Sequence, residues 1–149
     1  VSMVEVEHQP VEPAFGFIFE AAGHKLAVSG DTRYCENLVE AARDADVLVH
    51  EVFDHGSMAI SGTRTEQGLA NVAAYHTAST DVGRVATQAG VGCLVLTHIV
   101  PPDANRSNLL AQARADYAGP VIVGEDLMAI DVITRTVQWG DVNFSLPAR

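Results

Sequence analysis

Short apolar runs alternate with segments of helical spacing along the whole chain. "AFGFIFEAAGHKLAVSG" predicts two strands, about 15–20 and 25–29, joined by a tight turn at Ala22-Gly23. "DTRYCENLVEAARDAD" predicts a helix: Asp31 or Thr32 can cap it, and Leu38, Val39, Ala41 and Ala42 form its apolar stripe. The β-branched run "DVLVHE" predicts a buried strand at 47–51. A long stretch, 52–78, carries Gly56, Gly62 and Gly68, with one helical piece near "TEQGLANVAAY"; its length suits a binding loop or lid. "STDVGRVATQAG" predicts a second helix, with Ser79 or Thr80 as N-cap and Gly90 just past its end. "CLVLTH" predicts a third strand ending at His98, stopped by Pro101-Pro102. "RSNLLAQARADYAG" predicts a third helix, and "PVIVGEDLMAIDVITRTVQW" two or three last strands. Strands alternating with helices predict an α/β layered domain with at least part of its sheet parallel.

Three of the strands end in polar residues: Ser29-Gly30-Asp31, His50-Glu51 and Thr97-His98. Binding groups collect at the carboxyl ends of strands in such sheets, so Asp31, His50, Glu51 and His98 are expected on one rim. "VLVHEVFDH" superficially resembles a zinc-protease helix. Its two His are five residues apart, about 500° of helical rotation, and so do not share a face. The segment is a strand, not a zincin helix.

The 149 residues fit one domain with a core of its own. Nine basic against nineteen acidic residues give a net charge of −10, which repels phosphate backbones and makes nucleic acid an unlikely partner. No apolar run is long enough to span a bilayer. Cys35 and Cys93 lack metal or redox spacing. A signal peptide is not visible, and a cytoplasmic protein is expected; the start at Val1 suggests a missing N-terminus.

Taken singly, each polar residue has an ordinary reading. Asp31 reads as a helix cap, His98 as a strand-terminal His and Glu51 as a solvated acid. His76 is unremarkable between Tyr75 and a Ser/Thr-rich cap. His8, His24 and His55 read as surface residues in loops or turns. There is no dinucleotide loop, G-x-S-x-G elbow or Walker loop.

Taken together, "VSGDT" at 28–32, "HE" at 50–51, "YHTAST" at 75–80 and "LVLTHIVPP" at 94–102 resemble the C-terminal half of the metallo-β-lactamase superfamily. The nearest branch is that of the ribonuclease Z and arylsulfatase-like hydrolases, and "HQPVEPAFGFIFE" resembles the segment preceding the Ser-Gly-Asp-Thr motif there. The resemblance implies half of an αββα sandwich: a mixed sheet with helices on one face. It implies that Asp31 bridges two zinc ions and that His98 is the terminal ligand of one. It further implies that His76 lies near the scissile group without binding metal, and that Glu51 orients His76. Zinc takes imidazole and carboxylate readily. A His with a carboxylate partner suits proton donation to a leaving group.

The sequence departs from the family in having no His-x-His, so Asp31 and His98 are the expected ligands and too few for two ions. The expectation is a metal-dependent hydrolase, acting on small sulfate or phosphate esters, active only in the full-length or complemented protein. The alternatives are a ribonuclease Z-like tRNA 3′-processing endonuclease and a non-catalytic assembly module. The isolated chain is expected to show no dinuclear zinc site and no activity. It is expected to form a homodimer, or to pair with a complementing N-terminal half, through an uncovered sheet face carrying residues such as Phe17, Val28, Leu48 and Leu96 or their alternate neighbours.

Overall fold

The computed structural model describes residues 1–58 and 65–147. Six strands form one sheet in sequential order: β1 (Ser2–Val6), β2 (Ala14–Ala21), β3 (His24–Val28), β4 (Val47–Phe53), β5 (Leu94–Val100) and β6 (Val121–Val123). The first three pair antiparallel, and β3 through β6 pair parallel. The expected mixed sheet is therefore present, with one strand, β1, that its charged sequence "SMVEV" did not announce. The β2–β3 hairpin turns at Ala22 and Gly23, both at positive φ (52° and 79°), as a two-residue turn between right-twisted strands requires.

Helices α1 (Glu36–Ala41), α3 (Val82–Ala89) and α4 (Arg106–Asp116) pack on one face of this sheet; α2 (Glu66–Ala73) lies beside the carboxyl ends of the strands, leading into His76. Ala27, Leu48, Leu94, Leu96 and Val121 from the strands meet Val39, Val82, Val85, Ala86 and Leu109 from the helices in the main core. Helices α3 and α4 cross closely, and a Cβ at Gly83 would lie 2.1 Å from the Ala113 carbonyl oxygen.

Two helix starts differ from expectation. Helix α1 begins at Cys35–Glu36 rather than at Asp31 or Thr32, because the Thr32 N–H goes to Glu51 and the Arg33 N–H to the Glu7 carbonyl. Helix α3 is preceded by Asp81, which makes no side-chain cap bond, and the Ser79 N–H donates instead to Phe53 O. The segment holding Ser79 is thus tied to a strand rather than free to cap a helix. At the far end Gly90 closes α3 in the left-handed region, φ 64°, as expected. Of the expected 52–78 loop, residues 59–64 lie outside the described residues; Val52 and Phe53 extend β4, and a 3-10 turn (His55–Ser57) and α2, capped by Thr65, follow.

The other sheet face differs more from expectation. Strands β7 (Ala129–Asp131), β8 (Thr136–Trp139) and β9 (Val142–Ser145) form a separate antiparallel sheet. Val137 and Leu146, with Met128, Ile130 and Val132, pack on Val47, Val49, Val95 and Ile122. The C-terminal strands thus cover the β4–β6 half of that face, and Leu48 and Leu96 face the helices, fully buried. Among the described residues the β1–β2 side remains bare, with Met3 66% and Phe15, Phe17 and Phe19 each 37–40% exposed. Between the two sheets a cavity of about 590 Å³ runs from Leu26 past Val49 and Val95 to Thr97 and His98. Among the described residues no helix is long and apolar enough to cross a membrane.

Candidate functional site

Strands β3, β4 and β5 are parallel neighbours, so their carboxyl ends open on the same edge. Beyond Val28 the chain leaves the sheet but keeps hold of β4. The Ser29 N–H donates to Val49 O (2.9 Å), and Ser29 Oγ accepts the Glu51 N–H (3.0 Å). Gly30 then turns at φ 62°, where a Cβ would stand 2.3 Å from Phe15 O, and delivers Asp31 to the edge.

His8 arrives there from β1. The Arg33 N–H donates to Glu7 O (2.9 Å) and the Glu7 N–H to Thr32 Oγ1 (3.1 Å), so the β1 exit runs beside the 31–33 turn. His8 Nε2 stands 4.0 Å from Asp31 Oδ2, and the His8 ring meets Tyr75 and His76 edge-on. The surface role expected for His8 is therefore wrong: its side chain is 14% exposed and sits inside the cluster. No local signal set His8 apart from a loop His; only its place at the head of "HQPVEPAFGFIFE", a segment that carries the resemblance, pointed toward the site.

His98 is placed by a break in pairing. Glu51 pairs with Thr97 and Val52 with Ile99, leaving His98 as an extra residue on β5 with φ 40°. Such a bulge re-aims a side chain out of strand alternation. His98 Nδ1 stands 3.5 Å from Asp31 Oδ1. The two oxygens of Asp31 thus face two different imidazoles.

Glu51 is 1% exposed, and its Oε1 accepts the N–H of Thr32 (3.2 Å) and of Thr77 (2.8 Å). Thr77 Oγ1 donates to Thr32 O (2.7 Å), closing the network. The segment after His76 lies along the end of β4: the Phe53 N–H donates to Thr77 O and the Ser79 N–H to Phe53 O. These bonds carry His76 onto the rim, 8% exposed, stacked on Phe53 and tilted against His98.

His76 Nδ1 lies 3.2 Å from Glu51 Oε1, the distance expected for a hydrogen bond, but the angles are not those of one. Oε1 is occupied by two backbone donors, while His76 Nδ1 and Glu51 Oε2 are buried without hydrogen-bond partners among the described residues. Glu51, His76 and His98 bring ligand-type atoms within 4.8 Å of one another, a group able to hold a metal ion. His50 is buried beneath the rim; burial pushes its pKa below the usual His range and keeps the ring neutral. His24 pairs with Asp46, and His55 in its 3-10 turn meets Phe53, the ring on which His76 stacks.

The donors fit zinc by chemistry, being imidazole and carboxylate, and the orphaned buried atoms beside them belong to Glu51 and His76. With His8, the chain offers three donors, His8, Asp31 and His98, rather than the two expected.

Residues 1–99 match the family model of the beta-lactamase superfamily domain. Ribonuclease Z of Mycobacterium tuberculosis is 32% identical over 137 residues, covering 91% of this chain and 49% of the relative. Ribonuclease Z of Myxococcus xanthus is 41% identical over 114 residues, covering 76% of this chain and 34% of the relative. The chain thus spans about half or less of the length of these relatives. The metallo-beta-lactamase fold protein YhfI of Bacillus subtilis superposes with a TM-score of 0.65 at 23% identity, covering 83% of this chain and 46% of that one. Human tRNase Z, short form, superposes at 0.57 with 20% identity, covering 87% and 40%.

These relatives overturn the expectation that nucleic acid is an unlikely partner, because proteins named as ribonucleases match most of the chain. Net charge averages over the whole surface and does not describe one rim. The same names favour the ribonuclease alternative over small sulfate or phosphate esters. By its family match and its mixed sheet with helices on one face, the chain belongs to the beta-lactamase superfamily, in the metallo-β-lactamase fold.

Proposed function

We propose that this chain carries part of the active site of a zinc-dependent ribonuclease of the ribonuclease Z kind, hydrolysing a phosphodiester in RNA. The observation that supports it most is the position of Asp31 between His98 Nδ1 at 3.5 Å and His8 Nε2 at 4.0 Å. A carboxylate with a separate imidazole at each oxygen is a donor set that would suit zinc. His8, Asp31 and His98 would hold the metal. When bound, zinc supplies Lewis acidity at a phosphoryl oxygen.

The chain's own groups account for the rest. His76, buried against Phe53 and beside His98, donates a proton to the leaving oxygen. Glu51 keeps the loops of Asp31 and His76 in fixed relation through Thr32 and Thr77, with its Oε1 3.2 Å from His76 Nδ1. Phe53 and Tyr75 shield that ring from water.

The test is zinc affinity by chelator competition, with cleavage of a 3′-extended RNA hairpin measured on the same sample of the full-length or complemented protein. Asp31→Ala and His8→Ala are each expected to weaken zinc by at least about 100-fold, more than loss of a supporting residue costs. Unchanged zinc affinity in both variants would overturn the assignment.

A further inference from the structure

His50 is fully buried and takes no part in the chemistry above. Its Nδ1 stands 2.7 Å from the carbonyl oxygen of Glu51. A carbonyl only accepts, so Nδ1 carries the proton and Nε2 is left as a bare lone pair, buried without a partner among the described residues. The bond falls where β4 and β5 lose register, between Glu51 and Val52, opposite the inserted His98. An imidazole placed in a core with one nitrogen unsatisfied is costly, so what its other nitrogen holds must matter to this fold.

We propose that His50 is a positioning residue: its Nδ1–H fixes the Glu51–Val52 peptide at the bulge, and through it the outward aim of His98 and the inward aim of Glu51. One buried donor thereby sets two rim side chains that leave the sheet in different directions. The value of this for metal binding rests on the reading of His98 as a ligand; the control of the bulge does not. Asn presents its side-chain N–H where His presents Nδ1–H, whereas Leu fills similar space and donates nothing.

The experiment is nitrogen-15 NMR of the full 149-residue chain, with Zn²⁺ affinity measured in parallel. The His50 ring is expected as the neutral Nδ1–H tautomer. His50→Leu is expected to move the amide resonances of Glu51, Val52 and His98 and to weaken Zn²⁺ about 10- to 100-fold, as removal of a ligand's supporting bond does. His50→Asn is expected to restore both, which a loss of packing alone would not. Should His50→Leu fail to fold, the wild-type tautomer and the His50→Asn chain still decide the matter. An Nε2–H tautomer, or wild-type resonances at His98 in His50→Leu, would overturn the proposal. If the wild-type chain takes no Zn²⁺ while the resonances respond as expected, the metal reading fails and the positioning of His98 stands.

Discussion

Glu51 accepts the backbone N–H of Thr77 across 2.8 Å, and the same oxygen accepts that of Thr32. One buried carboxylate thus ties the residue after Asp31 to the residue after His76, two loops 45 positions apart in sequence that meet directly at Thr77 and Thr32. The acid expected to orient His76 also holds two loops together.

Removing that acid is therefore expected to loosen the fold as well as the site. Glu51→Ala leaves the Thr32 and Thr77 N–H groups buried without acceptors, at about 1–3 kcal/mol each. Glu51→Gln keeps an acceptor oxygen and is expected to cost less than half as much. Urea denaturation of both variants measures the difference; equal losses would mean the two N–H groups find other partners.

In the full-length or complemented protein, His76→Ala is expected to leave zinc affinity unchanged and to lower RNA cleavage about 10²- to 10⁴-fold, the range for a lost general acid. Affinity and rate are read on the same preparation. If zinc is lost together with the rate, His76 belongs among the ligands, with Glu51 and His98.

Burial pushes the Cys93 thiol up to about 11, against the lowering pull of Arg135. The folded chain therefore favours the protonated thiol. Its contribution is complete below the unfolded value of about 8.5 and declines as pH rises from there toward 11, by at most about 1.4 kcal/mol per pH unit. Denaturation midpoints of wild type and Cys93→Ala between pH 7 and 10.5 are expected to converge as pH rises; parallel curves would exclude the effect.

Gly83→Ala tests the crossing of α3 and α4. The new Cβ would fall 2.1 Å from Ala113 O, a backbone atom that can yield only if the helices separate. A cost of about 1–3 kcal/mol or more is expected for such overpacking. A thermal melt checks it, and a wild-type midpoint would show that the helices part freely.

Much of this architecture was legible in the chain itself. Runs such as "DVLVHE" and "CLVLTH" are buried strands because both sheet faces are covered around β4 and β5, so their apolar residues need not alternate. The polar residues closing those runs marked the rim because parallel neighbours end on one edge. Sequence could not supply what depends on contact between distant segments. His8 has no local signal that separates it from a loop His; it joins Asp31 because Glu7 pairs with the 32–33 turn. His98 leaves strand alternation because β5 carries one residue more than β4 opposite it, a register fact that belongs to two strands at once. Asp31 and Thr32 could have capped a helix, and the capping rules alone favoured it; the buried Glu51 carboxylate claimed the Thr32 N–H instead. The covering of the second face by β7–β9 was likewise undecidable along the chain, since short strands of mixed polarity fold back only where a partner face awaits them. Local pattern determined which segments are strands and helices. Tertiary packing decided which polar groups meet, because a buried hydrogen bond is satisfied by whichever partner the fold brings within reach.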